Sequence, residues 1–188
     1  MSPEFSPLLY NLIWDGSQDV PELPPAEVSE ISPEVKKAVR DLLRFGGYKP
    51  SGRGRPASES LVKAVEDGRF PAIHPVVDFF NVVSLQSGFP ISVLDADKLE
   101  GETGFRLGET DESYIFNPSG QELKVEGLPV LFDQVGPTGS PVKDAQRTKV
   151  DSSTTRFFVV VWGTNELPEQ LEQVRRRVDA WTSRCQLA

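Results

Sequence analysis

Cysteine and histidine each occur only once in the 188 residues, as Cys185 and His74. A single cysteine excludes an internal disulfide and a cysteine metal cluster, and one cysteine with one histidine argues against a zinc site. We therefore expect neither a metal nor another cofactor. A chain without disulfides also fits the reducing cytoplasm, which is its predicted location.

Long apolar runs are missing as well. The longest, such as residues 157–162, fall far short of the roughly 20 residues that a membrane-spanning helix needs. The N-terminus has no basic segment leading into an apolar one, so the sequence predicts no secretory signal. A membrane is therefore not among the expected partners.

Two catalytic signatures are also absent: the Gly-x-Ser-x-Gly nucleophile turn and the phosphate-binding Gly-x-x-x-x-Gly-Lys loop. Acid–base catalysis would have to rest on His74 or on a carboxylate such as Asp78, Asp95 or Asp133. His74 precedes Pro75 and is predicted to be extended at the start of a helix. A lone histidine in such a place commonly has a structural role instead.

The net charge of −8 argues against bulk nucleic-acid binding and against DNA as a partner. Residues 34–69 depart from this balance, because they carry +4 while the remainder of the chain carries −12. Within them, Lys49, Arg53 and Arg55 lie among glycines and prolines in a loop where they could approach a phosphate closely. The alternative is chance clustering on a solvated, mobile surface.

The segment 74–90 is the most apolar long stretch and the predicted centre of the fold. As a helix, it places Asp78, Asn81 and Ser84 in one row at i, i+3 and i+6. A helix that is apolar on nearly all other positions is usually buried, and its polar groups then need partners. The row either lines a polar pocket or only ties down neighbouring backbone. Gly88 predicts the end of this helix.

The order of the predicted elements is helices first, then short strands with tight turns, then a closing helix. This order predicts an α+β fold, with helices packed on a curled, largely antiparallel sheet or barrel of short strands. The predicted helices begin at Ser32, at Ser58 (with Leu61, Val62 and Val65 inward), near Pro75 and at Pro168. The predicted strands are 91–95, 105–107, 113–116, 122–125, 128–132 and 157–162, with 135–140 as a Gly/Pro loop.

Residues 1–30 are proline-rich and acidic, and they contain an apolar island at 8–14 that could form an edge strand. The stretch 21–30 reads as a loop or linker. We expect residues 1–30 to pack on one domain, residues 31–188, which closes with an amphipathic helix.

Several motifs resemble one known family, and the most specific is Val-Val-Asp-x-x-Asn, then Gly-x-Pro, then Asp, ending at Asp95. The other matching segments are 47–50, 55–56, 58–61, 74–85, 98–99, 101, 105–108, and Asp133 with Gly136. On these residues the segment 45–161 resembles the B3/B4 domain, the tRNA-editing domain of the bacterial phenylalanyl-tRNA synthetase β chain. It resembles still more the freestanding proteins made only of that domain.

This resemblance implies hydrolysis of the ester that joins a wrong amino acid to its tRNA, by a positioned water without a metal or covalent intermediate. The implied catalytic residues are Asn81, Ser92 and His74. The implied substrate-binding residues are Asp78, Ser84, Asp95, Arg106 and Asp133. The implied contacts to tRNA, the expected partner, are Lys49, Arg53 and Arg55.

The chain also departs from the family pattern. The synthetase domain has a histidine at the position of Ser92 and a glutamate near Val160 or Val161. Freestanding relatives carry a Trp/Arg-rich segment at 139–144, where here only Lys143 keeps a positive charge. Two hypotheses follow: a trans-acting aminoacyl-tRNA deacylase, or a non-catalytic module that binds an amino acid, an aminoacyl-like ligand or a partner protein in the same pocket.

Overall fold

The computed structural model describes residues 5–14, 16, 31–70 and 72–185, without the side chains of residues 184 and 185. These residues form an α+β fold, as predicted, with helices packed on three small antiparallel sheets and no closed barrel among them. The helices are α1 Pro33–Arg44, α2 Ala57–Glu66, α3 Pro75–Ser87 and α4 Pro168–Cys185. The strands are β1 Leu8–Ile13, β2 Ile91–Asp95, β3 Gly104–Leu107, β4 Ser113–Ile115, β5 Glu122–Lys124, β6 Pro129–Phe132, β7 Pro137–Gly139 and β8 Arg156–Val161.

Strand β8 lies at the centre of the first sheet and pairs antiparallel with β1 on one side and β2 on the other. Successive side chains of a strand point to opposite faces of the sheet. Phe157, Val159 and Val161 accordingly belong to the larger core cluster, whereas Val160 belongs to a smaller one with Phe158 packed against it. Because β8 is buried on both faces, its sequence is a continuous apolar run instead of an alternating one.

Helix α3 covers the first face of this sheet, and α4 in turn packs on α3. The ring of Phe80 lies 6.4 Å from that of Tyr10 on β1. On the far side of α3, Trp181 of α4 stacks on Phe79 with ring centroids 4.0 Å apart and planes 7° apart. Aromatic packing of this kind adds to the burial of apolar area and fixes α3 between α4 and the sheet.

The second face of the β1–β8–β2 sheet packs against the sheet formed by β3, β6 and β7. An aromatic cluster fills this interface. The indole of Trp162 lies 5.7 Å from the ring of Phe105 and 5.9 Å from that of Phe5, in centroid distances. Leu131 of β6 belongs to the same buried cluster.

Local sequence signals explain how the helices begin and end. Ser32 caps α1, its Oγ accepting a hydrogen bond from the Val35 N–H at 3.2 Å. Arg40 of α1 makes two hydrogen bonds of 2.7 Å to the Glu59 carboxylate of α2, which joins the two helices. Gly88 ends α3 in the left-handed conformation, with φ of 80°.

Three details differ from the sequence-based expectations. The predicted Gly/Pro loop contains β7, an edge strand whose first residue, Pro137, needs no ladder partner for its missing N–H. The basic loop after α1 includes one 3₁₀ turn, Gly52–Gly54. In α2 the inward residues Leu61, Val62 and Val65 are only half-buried, and Ser58 is the buried one.

The apolar island near the N-terminus forms β1, an edge strand of the central sheet, as predicted. The predicted linker at 21–30 lies outside the described residues. None of the helices in the described ranges is long and apolar enough to cross a membrane.

Two glycines that follow helices offer a matched test of packing. Both have positive φ, but a Cβ on Gly88 would lie 2.5 Å from Ile31 Cγ2 and 2.8 Å from Val35 Cγ1, whereas one on Gly68 would meet nothing within 4 Å. We expect Gly68→Ala to lower the free energy of unfolding by about 1 kcal/mol, from backbone strain alone. Gly88→Ala should cost about 1–3 kcal/mol more, because α1 must move away.

Denaturant unfolding of both variants measures the difference. Equal losses of stability would contradict the close packing of α1 on the end of α3.

Candidate functional site

A cavity of about 630 Å³ opens between the loop that follows α1 and the β4–β5 hairpin. Its volume lies in the range of small-molecule sites. We call it the basic cavity and define it by four cations and two aromatic rings: Lys49, Arg53, Lys124, Lys143, Tyr48 and Phe116. Glu122 is the one acidic residue among its described lining, and its carboxylate accepts a hydrogen bond from Ser113 Oγ at 3.0 Å.

Two turns shape the walls of the basic cavity. Tyr48 donates a hydrogen bond from its hydroxyl to the Gly54 carbonyl at 3.2 Å, which folds the basic loop back on itself. A Cβ on Gly54 would lie 2.3 Å from that hydroxyl, so this close approach requires glycine. On the opposite wall, Asn117 Oδ1 accepts from the Gln121 N–H at 3.0 Å and holds the hairpin turn beside Phe116.

Lys143 joins the two walls. Its Nζ lies 4.4 Å above the ring centroid of Phe116, a cation–π distance, and donates to the Arg53 carbonyl at 3.2 Å. Burial, and then the nearby charges of Arg53, Lys149 and Arg55, lower the pKa of the Lys143 ammonium. Lys143 is therefore a partly buried cation surrounded by other cations.

The cations here differ from most others in having no carboxylate partner. Elsewhere in the described residues, arginines and lysines form ion pairs, for example Arg147 with Asp133 at 2.6 Å and Lys98 with Asp151 at 2.7 Å. No ion pair within those residues involves the following six: Lys49, Arg53, Arg55, Lys124, Lys143 and Lys149. This surface consequently carries an excess of positive charge on an acidic protein, with Glu122 as the acid in the cavity lining.

A buried acid follows Lys143 in the chain. Asp144 is half-buried as a residue, but its Oδ1 is shielded from solvent and has no hydrogen-bond partner. Burial raises the pKa of Asp144 to about 7, against smaller lowering effects from Ser92, Lys149 and the Val93 N–H. Oδ1 itself accepts no hydrogen bond, which agrees with the raised pKa of this carboxyl.

Ser92 belongs to the packed interior. It is buried on β2, and its Oγ accepts a hydrogen bond from Trp162 Nε1 at 2.9 Å. It lies between Ile91 and Val93, which face α3, so Ser92 itself points to the opposite face of the sheet. The predicted pair Asn81 and Ser92 therefore lies on two sides of one sheet, and the structure does not bring the two side chains together.

His74 and the polar row of α3 have mostly structural contacts. His74 Nδ1 accepts from the Val76 N–H at 3.2 Å and caps α3. Asp78 Oδ1 accepts from the Ile73 N–H at 3.0 Å, and Ser84 Oγ donates to the Phe89 carbonyl at 2.7 Å. Asn81 differs, because its half-buried side chain makes no hydrogen bond with the described residues.

The remaining predicted substrate ligands occupy three separate networks. Asp95 is buried and accepts from Thr154 Oγ1 at 2.7 Å. Arg106 makes two hydrogen bonds of 2.7 and 2.6 Å to the Glu112 carboxylate. Asp133 receives two hydrogen bonds from Arg147 and further ones from backbone N–H groups.

Burial alone would raise the pKa of Asp133, but the hydrogen bonds from Arg147 and the backbone hold it below the usual value. Asp95, Arg106 and Asp133 therefore all have internal hydrogen-bond partners, and the three networks are separate from one another.

The predicted tRNA contacts do lie together. Lys49 and Arg53 both line the basic cavity, and Arg55 lies beside Arg53 in the same loop. The sequence-based reasoning missed Tyr48, Phe116, Lys124 and Asp144 as parts of this region. Hairpin turn signals predict the strands that present Phe116 and Lys124. No local signal shows that Lys143 meets the loop of Arg53, 90 residues away from it in the chain, to close the cavity.

Among the described residues, no set of three or more histidine, cysteine, aspartate or glutamate side chains could hold a metal ion.

A family model described as the B3/4 domain matches residues 49–180. A solved structure, an N-terminal fragment of the phenylalanyl-tRNA synthetase beta-subunit from Pyrococcus horikoshii, is similar with a TM-score of 0.50 and 15% sequence identity. The similarity covers 60% of this chain and 40% of that fragment, and at this identity it shows a shared fold. No curated protein matches the chain.

The buried carboxyl of Asp144 predicts a specific pH dependence of stability. Its folded pKa of about 7 lies above the usual 3.8, so the native protein holds a proton that the unfolded chain releases. The protonated Asp144 carboxyl makes its full contribution to the free energy of unfolding below about pH 4. That contribution falls as the pH rises to about 7, by roughly 4 kcal/mol in total. We expect Asp144→Asn, which cannot ionise, to gain thermal stability relative to the natural protein between pH 5 and pH 8.

Melting temperatures of both proteins across that range test this expectation, because other titrating groups cancel in the difference. Glu66→Gln, which removes an exposed carboxylate, serves as the control. If the difference in melting temperature between Asp144→Asn and the natural protein did not change with pH, the raised pKa of a buried carboxyl would be contradicted.

Proposed function

Because the chain belongs to the B3/4 domain family, we propose that it binds aminoacyl-tRNA and hydrolyses the ester of a mischarged amino acid in trans. The observation that carries this proposal is the basic cavity, in which four cations without carboxylate partners and two aromatic rings surround a space of about 630 Å³. Cations bind the phosphates of nucleic acids, and aromatic rings stack on their unpaired bases. The fold shared with a synthetase fragment supports tRNA as the nucleic acid.

The proposed reaction needs few groups. Water attacks the ester carbonyl, the tetrahedral intermediate collapses, and the products are the free amino acid and a tRNA whose terminal ribose hydroxyl is restored. The task of the protein is to position the ester and the water. Of the predicted catalytic residues, Asn81 is the one whose side chain makes no hydrogen bond with the described residues. Ser92 and His74 have internal hydrogen-bond partners and would act only by positioning other groups.

Release of amino acid from mischarged tRNA tests the proposal. The purified protein should deacylate at least one member of a full panel of mischarged tRNAs, and Asn81→Ala should abolish release. Because the Asn81 amide makes no hydrogen bond within the described residues, the variant should keep the natural melting temperature. Absence of turnover on the whole panel would overturn the function.

Asn81 does not line the basic cavity, so its catalytic role is tested separately from the binding of tRNA. Deacylation that survives Asn81→Ala would remove that residue from the mechanism and leave the tRNA-binding surface intact. Gln86→Ala is the matched control on the same helix, since it removes another half-buried amide whose Oε1 has no hydrogen-bond partner, and it should leave release unchanged.

A second candidate function has one specific observation in its favour. The Ser92 hydroxyl is buried against Trp162, and Asn81 lies across the sheet from it, so the predicted water-positioning pair is not assembled. A non-catalytic module that binds an amino acid, an aminoacyl-like ligand or a partner protein would not need that pair. Thermal stabilisation by free amino acids, without tRNA turnover and without tRNA binding at low salt, would favour this function over the first.

A further inference from the structure

A second groove adjoins the basic cavity on the side of α2. It has a volume of about 380 Å³, and its lining includes Arg53, Arg55, Ser60, Lys63, Arg69 and Lys143. We call it the α2 groove. Arg53 and Lys143 line both depressions, so the two are continuous across these side chains.

Positive charge is in excess along the whole path. In the α2 groove, Lys63 and Arg69 share one carboxylate, Asp67, at 3.6 and 2.7 Å. Arg53, Arg55 and Lys143 form no ion pair within the described chain.

The crowding of like charges is strongest at Lys143, where burial and then its cationic neighbours lower the pKa of the ammonium. Phosphates placed along the path would supply the missing counter-charges.

The shape of this surface selects among phosphate-bearing ligands. A single phosphate would need one cluster of cations, but here the cations extend through two adjoining depressions. A duplex is read by elements that project into its grooves, whereas this surface is concave. Phe116 and Tyr48 are half-buried rings in the basic cavity, where an unpaired base could stack.

We propose that the basic cavity and the α2 groove form one track for single-stranded RNA, with a base stacked in the cavity beside Lys143 and phosphates running past Arg53 and Arg55 toward Lys63. The proposal deepens the proposed function and rests on it for the identity of the strand, which would be the unpaired 3′ end of tRNA. The strand binds through its backbone and a base, so the aminoacyl group is not required for binding.

Binding of uncharged oligonucleotides tests the track. Fluorescence anisotropy with a labelled single-stranded RNA of about eight nucleotides should give an affinity at least tenfold tighter than a blunt-ended RNA hairpin of equal charge. For single strands, log K falls by about 0.7 per phosphate neutralised for each tenfold rise in salt. Lys143→Ala and Arg55→Ala should each weaken binding about fivefold or more and reduce that slope by about 0.7.

Two further variants separate specific contacts from general charge. Phe116→Leu removes the stacking face and the ring beneath the Lys143 ammonium but no charge, so it should weaken binding without changing the salt slope. Lys36→Ala removes one exposed lysine from α1, outside the track, and should change affinity less than twofold. Circular dichroism of each variant confirms that it is folded, and Arg55→Ala still tests the track if Lys143→Ala does not fold.

Three results would overturn the proposal. The blunt hairpin could bind as well as the single strand, ATP could compete at the affinity of the oligonucleotide, or Lys143→Ala and Arg55→Ala could both match Lys36→Ala. Failure of the proposed function would give another result. Single-stranded RNA would still bind, and the variants would still weaken that binding, but no mischarged tRNA would be deacylated. Conversely, deacylation that is unchanged by Lys143→Ala and Arg55→Ala would leave the function standing and remove the track.

Discussion

The burial of β8 on both faces is the constraint on which the rest of the structure depends. Phe157, Val159 and Val161 require α3 on one side, and Phe158 and Val160 require the β3–β6–β7 sheet on the other. Each apolar side chain of this size contributes about 1.5–3 kcal/mol when it is fully buried. Strand β8 thereby fixes where both layers lie, and the loop that follows β7 is held against the same core.

Polar side chains divide into two groups around this core. Carboxylates such as Asp95 and Asp133 are buried or partly buried and fully hydrogen-bonded, as buried charges must be to avoid a large desolvation cost. The four cations of the basic cavity have no carboxylate partner in the described chain, whereas Lys63 and Arg69 of the α2 groove share the carboxylate of Asp67. Lys143 and Arg55 donate only to backbone carbonyls, and the absence of a carboxylate partner for either is the feature that supports the proposed binding surface.

The layer beneath the basic cavity links that surface to the core. Tyr114 donates a hydrogen bond to the Lys143 carbonyl and lies 2.8 Å from Ser140 Oγ, while Asp144 turns inward beside Ser92. Because this layer is buried, the position of Lys143 is set by packing and not by the loop alone. The charge of Asp144 interacts with that of Lys149, so protonation of this carboxyl acts on a lysine of the same layer.

The sequence by itself determined the elements and part of the surface. Local patterns predicted α1 from Ser32, the buried helix ending at Gly88, the central strand and a basic loop holding Lys49, Arg53 and Arg55, because periodicity, caps and composition act over a few residues. Only the tertiary structure decided which of these elements and side chains come into contact. Lys143 contacts a loop 90 residues away in the chain. The Oδ1 atom of Asp144 became buried although a lysine precedes it, and Ser92 turned to the face opposite Asn81. Those outcomes depend on strand register and layer packing, which no local pattern encodes.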